Sequence, residues 1–554
     1  MAEAYPATIG GQPVLILKEG TQRTRGKDAQ RGNIMAAKVL AETIKTSLGP
    51  RGMDKMLVAS FGDVTITNDG ATILKEMDIQ HPAAKMMAEV AKTQDDEVGD
   101  GTSSAVILAG ELVSKAEELI NKDIHPTIIV DGYRRAQEKA LQVLSDIAVK
   151  VDPKDKETLR KVAAISMATK LVSESRDMLA DIAVDAMLQV SQKTTEGFNA
   201  DVEDVKVEKK PGESLAETKL IQGVVLDKEV VHTGMPKRVE EAKIALVNAA
   251  LEVEKTEFDA KINIQNPEEM KAFLDEEEKM LRDMADKVAK SGANVLVCQK
   301  GIDDLTQHFL AKKNILAVRR ASEKDMEKLS RATGAKIVMN LDDLRSEDLG
   351  YAKVVEERKI GDDKMTFVEG CKSPHAVAIL IRGGTQRYID EAERSLHDAL
   401  CVIRDVIRDP RIVAGGGAVE VEIASQVRRW AQSLSGKEQL AVLAFADAVE
   451  GIPLALAENA GLDPLDIIVE LRARHEKGQK WTGVDALEGK IKDMMKDNVI
   501  EPAAVKEQIL KSASEAASML LKIDDIIASG KGQAPGGPPG GMPPGGGEGG
   551  SEFD

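Results

Sequence analysis

A chain of 554 residues exceeds one ordinary domain, and about two to four are expected. Its 42% hydrophobic and 30% charged content is that of a soluble globular protein, and a net charge of −18 argues against nucleic acid or an anionic membrane as the main partner. Aromatic residues make up only 3%, so the cores must be built from Ala, Val, Ile, Leu and Met.

The N-terminal MAEAYPATIG has no basic segment followed by an apolar one, so no secretory signal is expected, and no apolar run approaches the roughly 20 residues of a membrane span. Cys298, Cys371 and Cys401 lie far apart without a CxxC pair and read as reduced, partly buried thiols of a cytosolic protein. The histidines are scattered, with no HExxH and no His/Cys cluster, so no structural zinc site is expected.

Residues 30–150 and 405–527 are both helix-rich. SLGPRGMDKM (47–56) supplies a Gly-rich turn with Pro50. VTITNDGATI (64–73) reads as an alternating strand, an Asn-Asp-Gly turn presenting Asp69, and a continuation. EVGDGTSSAVILAGELV (97–113) joins a small, polar, flexible loop to a buried helix whose face carries Leu108, Leu112, Ala116 and Leu119. Ser103 and Ser104 fall near the helix N-terminus, where unpaired N–H groups make an anion site, and Gly99 and Gly101 permit close approach. A carboxylate beside phosphate repels it unless a cation intervenes, so Asp100 points to Mg²⁺ and explains a phosphate loop without lysine. The same residues also serve an ordinary capped helix start. In PTIIVDGYRRAQEKALQVLSDIAV, residues Ile129, Tyr133, Ala136, Ala140 and Leu144 mark another helix face.

Between the two helix-rich halves, LVCQK (296–300), ILAVRR (315–320), AKIVMN (335–340) and AVAILIRGG (376–384) read as strands, several separated by helices. An α/β unit is therefore expected within a helical one. From Glu268 a charged helix carries the thin apolar stripe Met270, Phe273, Leu274, Met280, Leu281 and Met284, with a loose INIQNP segment before it; an ordinary solvated helix has the same pattern. VAGGGAVEVEIA (413–424) sets three glycines before a helix, read as close backbone approach or as a flexible joint. AVLAFADAVEGIPLALAENA again has helical periodicity, and the Gly/Pro-rich tail from about Gly530 reads as disordered. No Gly-Lys pair is followed by Ser or Thr as in a Walker A loop, and the kinase HRD and DFG motifs are absent.

SLGPRGMDKM, NDGATIL, GDGTSS, GGGAVE and WTGVDALEGKIKDM occur in the order found in chaperonins, and the charged insertion with RGGT points to group II. From about residue 10 to 527 the chain resembles archaeal thermosome subunits and is similar to subunits of the eukaryotic cytosolic chaperonin. That resemblance implies a multidomain α and α/β fold. A helical equatorial ATPase domain would comprise 1–150 and 405–527. A small α/β intermediate hinge would comprise 151–218 and 371–404. An inserted α/β apical domain, 219–370, would bind substrate and carry a helical lid protrusion at about 255–285, with 528–554 as the tail.

The resemblance further implies an ATP-dependent chaperone with ATP and Mg²⁺. Leu48, Gly49 and Pro50 would lie near base and phosphates, Asp100 would coordinate Mg²⁺, and Gly101, Thr102, Ser103 and Ser104 would wrap the phosphates. The family usually has threonines where Ser103 and Ser104 stand, and the hydroxyls are kept. Gly416 would form the adenosine-binding turn, Gly483 and Glu501 would contact base and ribose, and Lys170 would sense the γ-phosphate. Asp69 and Asp398 would position the attacking water, Asp398 only once its domain swings down. The partners implied are unfolded or partly folded proteins and other subunits in stacked eight- or nine-membered rings, in the cytoplasm, without nucleic acid or a membrane span. A metabolic ATPase or kinase would need a second convergent polar pocket, and none is visible in the sequence. A passive ring is opposed by the intact set Asp69, Asp100 and Asp398.

Overall fold

The computed structural model describes residues 22–528 except 60–61, 171–172, 196, 254–266 and 373–376, together with 6–9 and 12–15. The INIQNP segment up to residue 266 and the tail beyond 528 lie outside the described residues.

The two chain ends build one helical body. Helix Thr102–Ile120 runs through its middle and packs on helices Gly26–Lys45, Pro82–Val98, Lys437–Val449 and Ala503–Lys522. Its expected face is fully used: Leu108, Leu112 and Ala116 have no exposed surface, and each buried leucine contributes roughly 1.5–3 kcal/mol. Small residues set the helix spacing, since a Cβ on Gly110 would fall 2.2 Å from the Ala41 methyl. Helix Pro126–Ile147 starts at the His125 side chain, which accepts from the Thr127 N–H, and buries Ile129, Tyr133, Ala136, Ala140 and Leu144 completely. Tyr133 meets Phe445 edge-on at 5.9 Å, a rare aromatic pair in a core otherwise aliphatic, as the composition requires.

Strands stitch the ends together. Gln22–Arg25 pairs antiparallel with Asp525–Ala528, and Arg411–Ala414 lies between Ile500–Pro502 and Val149–Lys150. The same core continues without a break through helices Lys156–Met167, Arg176–Val190 and Gln386–Arg408. These pack beside a three-stranded sheet in which Val377–Gly383 lies between Lys219–Ile221 and Val205–Pro211.

Residues 223–371 form a separate core on a seven-stranded mixed sheet. The strands expected at 296–300, 315–320 and 335–340 are present as Val295–Cys298, Leu316–Val318 and Ile337–Val338, the first two parallel and fully buried. Burial on both faces explains their unbroken apolar runs. Helix Pro267–Lys290 exposes Met270, Phe273, Leu274 and Met280 but buries Leu281, Ala285 and Val288 against the sheet body.

Two readings of the sequence need correction, and the helical periodicity in the C-terminal half is borne out in divided form. After strand Val64–Thr67 the chain turns into helix Gly70–Glu76, because the Asp69 carboxylate accepts the Thr72 N–H at 2.8 Å and caps a helix. AVLAFADAVEGIPLALAENA forms two helices, Lys437–Val449 and Gly451–Asn459, divided at Glu450, whose buried carboxylate is held by Arg428 and Arg472. These helices together, Lys437–Asn459, are long and apolar enough by composition to cross a membrane, where none was expected; 78% of the most apolar window is buried inside the protein.

Candidate functional site

The loop after helix Pro82–Val98 is shaped by two left-handed glycines. Gly99 (φ +70°) closes that helix and Gly101 (φ +77°) opens the next. No side chain caps helix Thr102–Ile120, so its first-turn N–H groups stay available. Across the cavity, helix Ala418–Ala431 begins in the same way at Gly417 (φ +77°), again without a side-chain cap. Two uncapped helix N-termini, each favouring an anion, therefore border one cavity of about 690 Å³.

Most residues expected at the site line this cavity: Leu48, Gly49 and Pro50; Asp100, Gly101, Thr102, Ser103 and Ser104; Gly416 and Glu501; and Asp69 and Lys170. Two do not line it. Gly483 lies behind Gly416, where a Cβ would be 2.7 Å from the Gly416 carbonyl oxygen, so it supports the glycine turn while its neighbour Val484 lines the cavity. Asp398 joins through Lys170, whose Nζ is 3.1 Å from Asp398 Oδ2 and 3.7 Å from Asp69 Oδ1. Asp398 was expected to arrive only after a domain movement; in this structure it is already joined to the cluster.

The electrostatics differ from one carboxylate to the next. Burial would raise Asp69, but Lys170, the Thr72 hydrogen bonds and the Thr102 hydroxyl (3.0 Å) outweigh it and hold its pKa below the usual range. Burial lifts Asp100 despite Lys170 and the Gly101 N–H, which donates to its Oδ1 at 2.6 Å. Asp398 is lifted further, by burial and then by the neighbouring carboxylates, against Lys170. Burial works against the Lys170 ammonium, yet Asp398 and Asp69 prevail and raise its pKa. The site thus holds one firmly ionised carboxylate, Asp69, and two that gain from additional positive charge.

Sequence reading overlooked Asn68, Gln94 and Lys506. The Asn68 amide donates to the Thr169 carbonyl beside Lys170, and Gln94 Nε2 donates to the Asp100 carbonyl at 2.9 Å. Lys506 lines the cavity while paired with Glu420 and Glu501. Asn68 was legible beside Asp69 in NDG; Gln94 and Lys506 follow helical periodicity with no motif to mark them. Among the described residues no group of three or more His, Cys, Asp or Glu is arranged to hold a metal ion unaided.

A helical body made from both chain ends, an α/β insertion and an anion-suited cavity between helix N-termini agree with the chaperonin class that the motifs resemble. A model of the TCP-1/cpn60 chaperonin family matches residues 40–531. A thermosome subunit of Methanopyrus kandleri is 59% identical over 94% of this chain and 95% of its own length. Thermosome subunit alpha of Archaeoglobus fulgidus is 57% identical over 94% of this chain and 96% of its own. A solved structure, the open-state monomer of a group II chaperonin from Methanococcoides burtonii, is 43% identical with a TM-score of 0.60, covering 77% of this chain and 100% of that one. The chain belongs to the TCP-1/cpn60 chaperonin family, and the protein is a chaperone. The likeness to group II chaperonins and archaeal thermosome subunits drawn from the motifs is borne out.

Proposed function

We propose that the protein is an ATP-hydrolysing subunit of a double-ring folding chamber in the cytoplasm, with the cavity as its Mg²⁺-ATP site. The observation that carries this reading is the convergence of two uncapped helix N-termini with Asp69, Asp100 and Lys170 around one cavity, with Asp398 joined to it through Lys170. The first-turn N–H groups and hydroxyls of Thr102, Ser103 and Ser104 receive the phosphates, and the left-handed turn at Gly416 lets the nucleoside approach the backbone. Asp100 fits Mg²⁺ because it is a partly buried carboxylate that gains from added positive charge and lies beside the phosphate loop. Bound there, the ion would neutralise phosphate charge. Asp69, ionised and fixed by Thr72 and Thr102, accepts from a water molecule and orients it. Lys170 links Asp69 to Asp398, so the carboxylate on helix Gln386–Arg408 is coupled to what occupies the cavity.

The same reading assigns 1–150 and 405–527 to the ATPase domain, 151–218 and 371–404 to the hinge, and 219–370 to capture of unfolded proteins, with the helix beginning at Pro267 as part of a lid. Rings of eight or nine subunits enclose the client, and closure is a population shift favoured by the occupied site. Phosphate release with and without Mg²⁺, measured alongside protease protection of residues 255–285, tests this. A particle that hydrolyses no ATP would overturn the enzyme assignment, and a segment indifferent to nucleotide would overturn the lid.

A further inference from the structure

Three charges, two of them buried, meet at the edge of the cavity. Lys506, on the first turn of helix Ala503–Lys522, places its Nζ 2.6 Å from Glu501 Oε2 and 2.8 Å from Glu420 Oε1. Glu501 comes from strand Ile500–Pro502 and Glu420 from the helix that follows the glycine turn, so the ammonium ties together three elements around the site. Lys506 and Glu420 are 6% and 4% exposed, whereas Glu501 keeps 24% of its side chain open and lines the cavity beside Lys506. The other oxygen of Glu501 is also confined: a Cβ on Gly415 would lie 2.5 Å from its Oε1. Glu501 is therefore held between a glycine backbone and an ammonium.

The chemistry of this arrangement is specific. An ionised carboxylate only accepts hydrogen bonds, and each oxygen has two lone pairs, so Oε2 can accept from Lys506 and still accept a hydroxyl. A protonated carboxyl loses that uniform acceptor character. Burial drives Glu501 toward protonation, Glu420 adds to the push, and Lys506 opposes both. Without Lys506, the buried Glu420 and the partly buried Glu501 carboxylates would lie near each other uncompensated, and Glu420 Oε2 already has no hydrogen-bond partner.

We propose that Lys506 is a positioning residue that keeps the Glu501 carboxylate charged and aimed into the cavity, so that Glu501 reads the vicinal hydroxyls of a ribonucleoside. This rests on the nucleotide reading of the cavity and adds a determinant of sugar specificity that acts through Glu501. Lys506 also lowers the pKa of Asp100 electrostatically, so a direct effect on the phosphates is the competing route that the test must separate.

The experiment measures affinities of the assembled protein for ATP, 2′-deoxyATP and 3′-deoxyATP in Mg²⁺, with steady-state hydrolysis of ATP. The parent should prefer ATP over each deoxy analogue by about tenfold, as expected for a hydrogen bond to a charged acceptor. Lys506→Met should weaken ATP binding about tenfold more than it weakens binding of either analogue, which keeps one of the two hydroxyls, so that the preference collapses, raising KM with kcat within about twofold. Lys506→Arg should restore the preference, and Lys506→Met combined with Glu501→Gln should be no worse than Glu501→Gln alone. If Lys506→Met does not assemble, Lys506→Met with Glu420→Gln removes one buried charge of each sign and should show the same collapse of sugar preference. Equal weakening toward ATP and both analogues, or additive effects of the Lys506 and Glu501 changes, would overturn the proposal. A parent that binds ATP but shows no ribose preference would overturn this inference alone; a parent that binds no ATP would overturn the nucleotide reading as well.

Discussion

In the helical body and the helices that continue its core, charged groups are buried repeatedly: Lys170, Asp398, Arg404, Glu420, Glu450 and Lys506 are among them. Between residues 219 and 370, by contrast, no described Asp, Glu, Lys or Arg is buried. There the buried polar side chains are uncharged, Thr366 and Gln307 among them, while helix Pro267–Lys290 leaves Met270, Phe273 and Leu274 about half exposed at 52%, 49% and 57%. Burying a charge is unfavourable unless it is paired, and a pair such as Lys170–Asp398 does not by itself make a strong case for stability. Lys170 and Lys506 carry that cost at a cavity where charge can act on a ligand, whereas Arg404 and Glu450 do not line it. The insertion keeps a conventional core and leaves apolar side chains uncovered, which suits contact with another chain.

The sharpest way to break this contrast is to remove a partly buried charge that chemistry needs and folding does not. Asp100→Ala should lower Mg²⁺-dependent hydrolysis by about a thousandfold or more, with thermal stability unchanged or raised, because burial already disfavours the Asp100 carboxylate. Phosphate release across a Mg²⁺ titration, with a melting curve beside it, measures both. Unchanged magnesium dependence would remove Asp100 from the metal role.

Asp398→Ala should slow turnover by about a hundredfold while ATP affinity stays within about threefold, since its inferred partner is water and not the ground-state nucleotide. Lys170 then keeps only Asp69, at 3.7 Å, as a close carboxylate partner among its recorded ion pairs. A loss of affinity as large as the loss of turnover would place Asp398 in binding instead.

On the other side of the contrast, replacing Met270, Phe273 and Leu274 together by Ser should leave ATP hydrolysis within about twofold, because these side chains cover none of the main cores. Retention of a denatured client inside the particle should fall severalfold. Equal client retention in the triple variant would show that this face does not serve capture or closure.

How much of this was legible in the sequence divides along the same line. The helix faces at Ile129–Leu144 and Leu108–Ala116 were readable because a single solvent boundary imposes a 3.6-residue rhythm. The buried strands of the insertion were readable as short apolar runs. Asp69 and Asp100 stood out because glycines flank them. The helix after Asp69 did not, because NDG is a hairpin turn or a helix cap depending on what Thr72 donates to. Lys506 was invisible for a different reason: its partners Glu420 and Glu501 lie 86 and 5 residues away on other elements, and no local pattern marks a charge that will be buried. Gly483 was legible as a glycine that mattered, but its role in backing Gly416 required the tertiary contact.

The smallest expected effect concerns the acidic surroundings of the phosphate loop. Asp95 has its pKa raised from 3.8 to about 6, by burial first and then by Asp69 and Asp96, against a counteracting Lys170. The folded chain therefore holds a proton that the unfolded chain releases as pH rises above 3.8. The native state binds more protons in that window, so stability falls with rising pH, and the penalty is complete once pH passes about 6. Asp95→Asn removes the penalty. Its melting temperature should exceed the parent's by about 1–3 °C at pH 7 and match it near pH 4. Because the penalty comes partly from neighbouring carboxylates, a cation bound at Asp100 should relieve it. The difference between Asp95→Asn and the parent at pH 7 should therefore shrink when Mg²⁺ and nucleotide are added. A pH-independent difference would mean that Asp95 acts through packing, and a difference indifferent to Mg²⁺-nucleotide would separate Asp95 from the electrostatics of the proposed site.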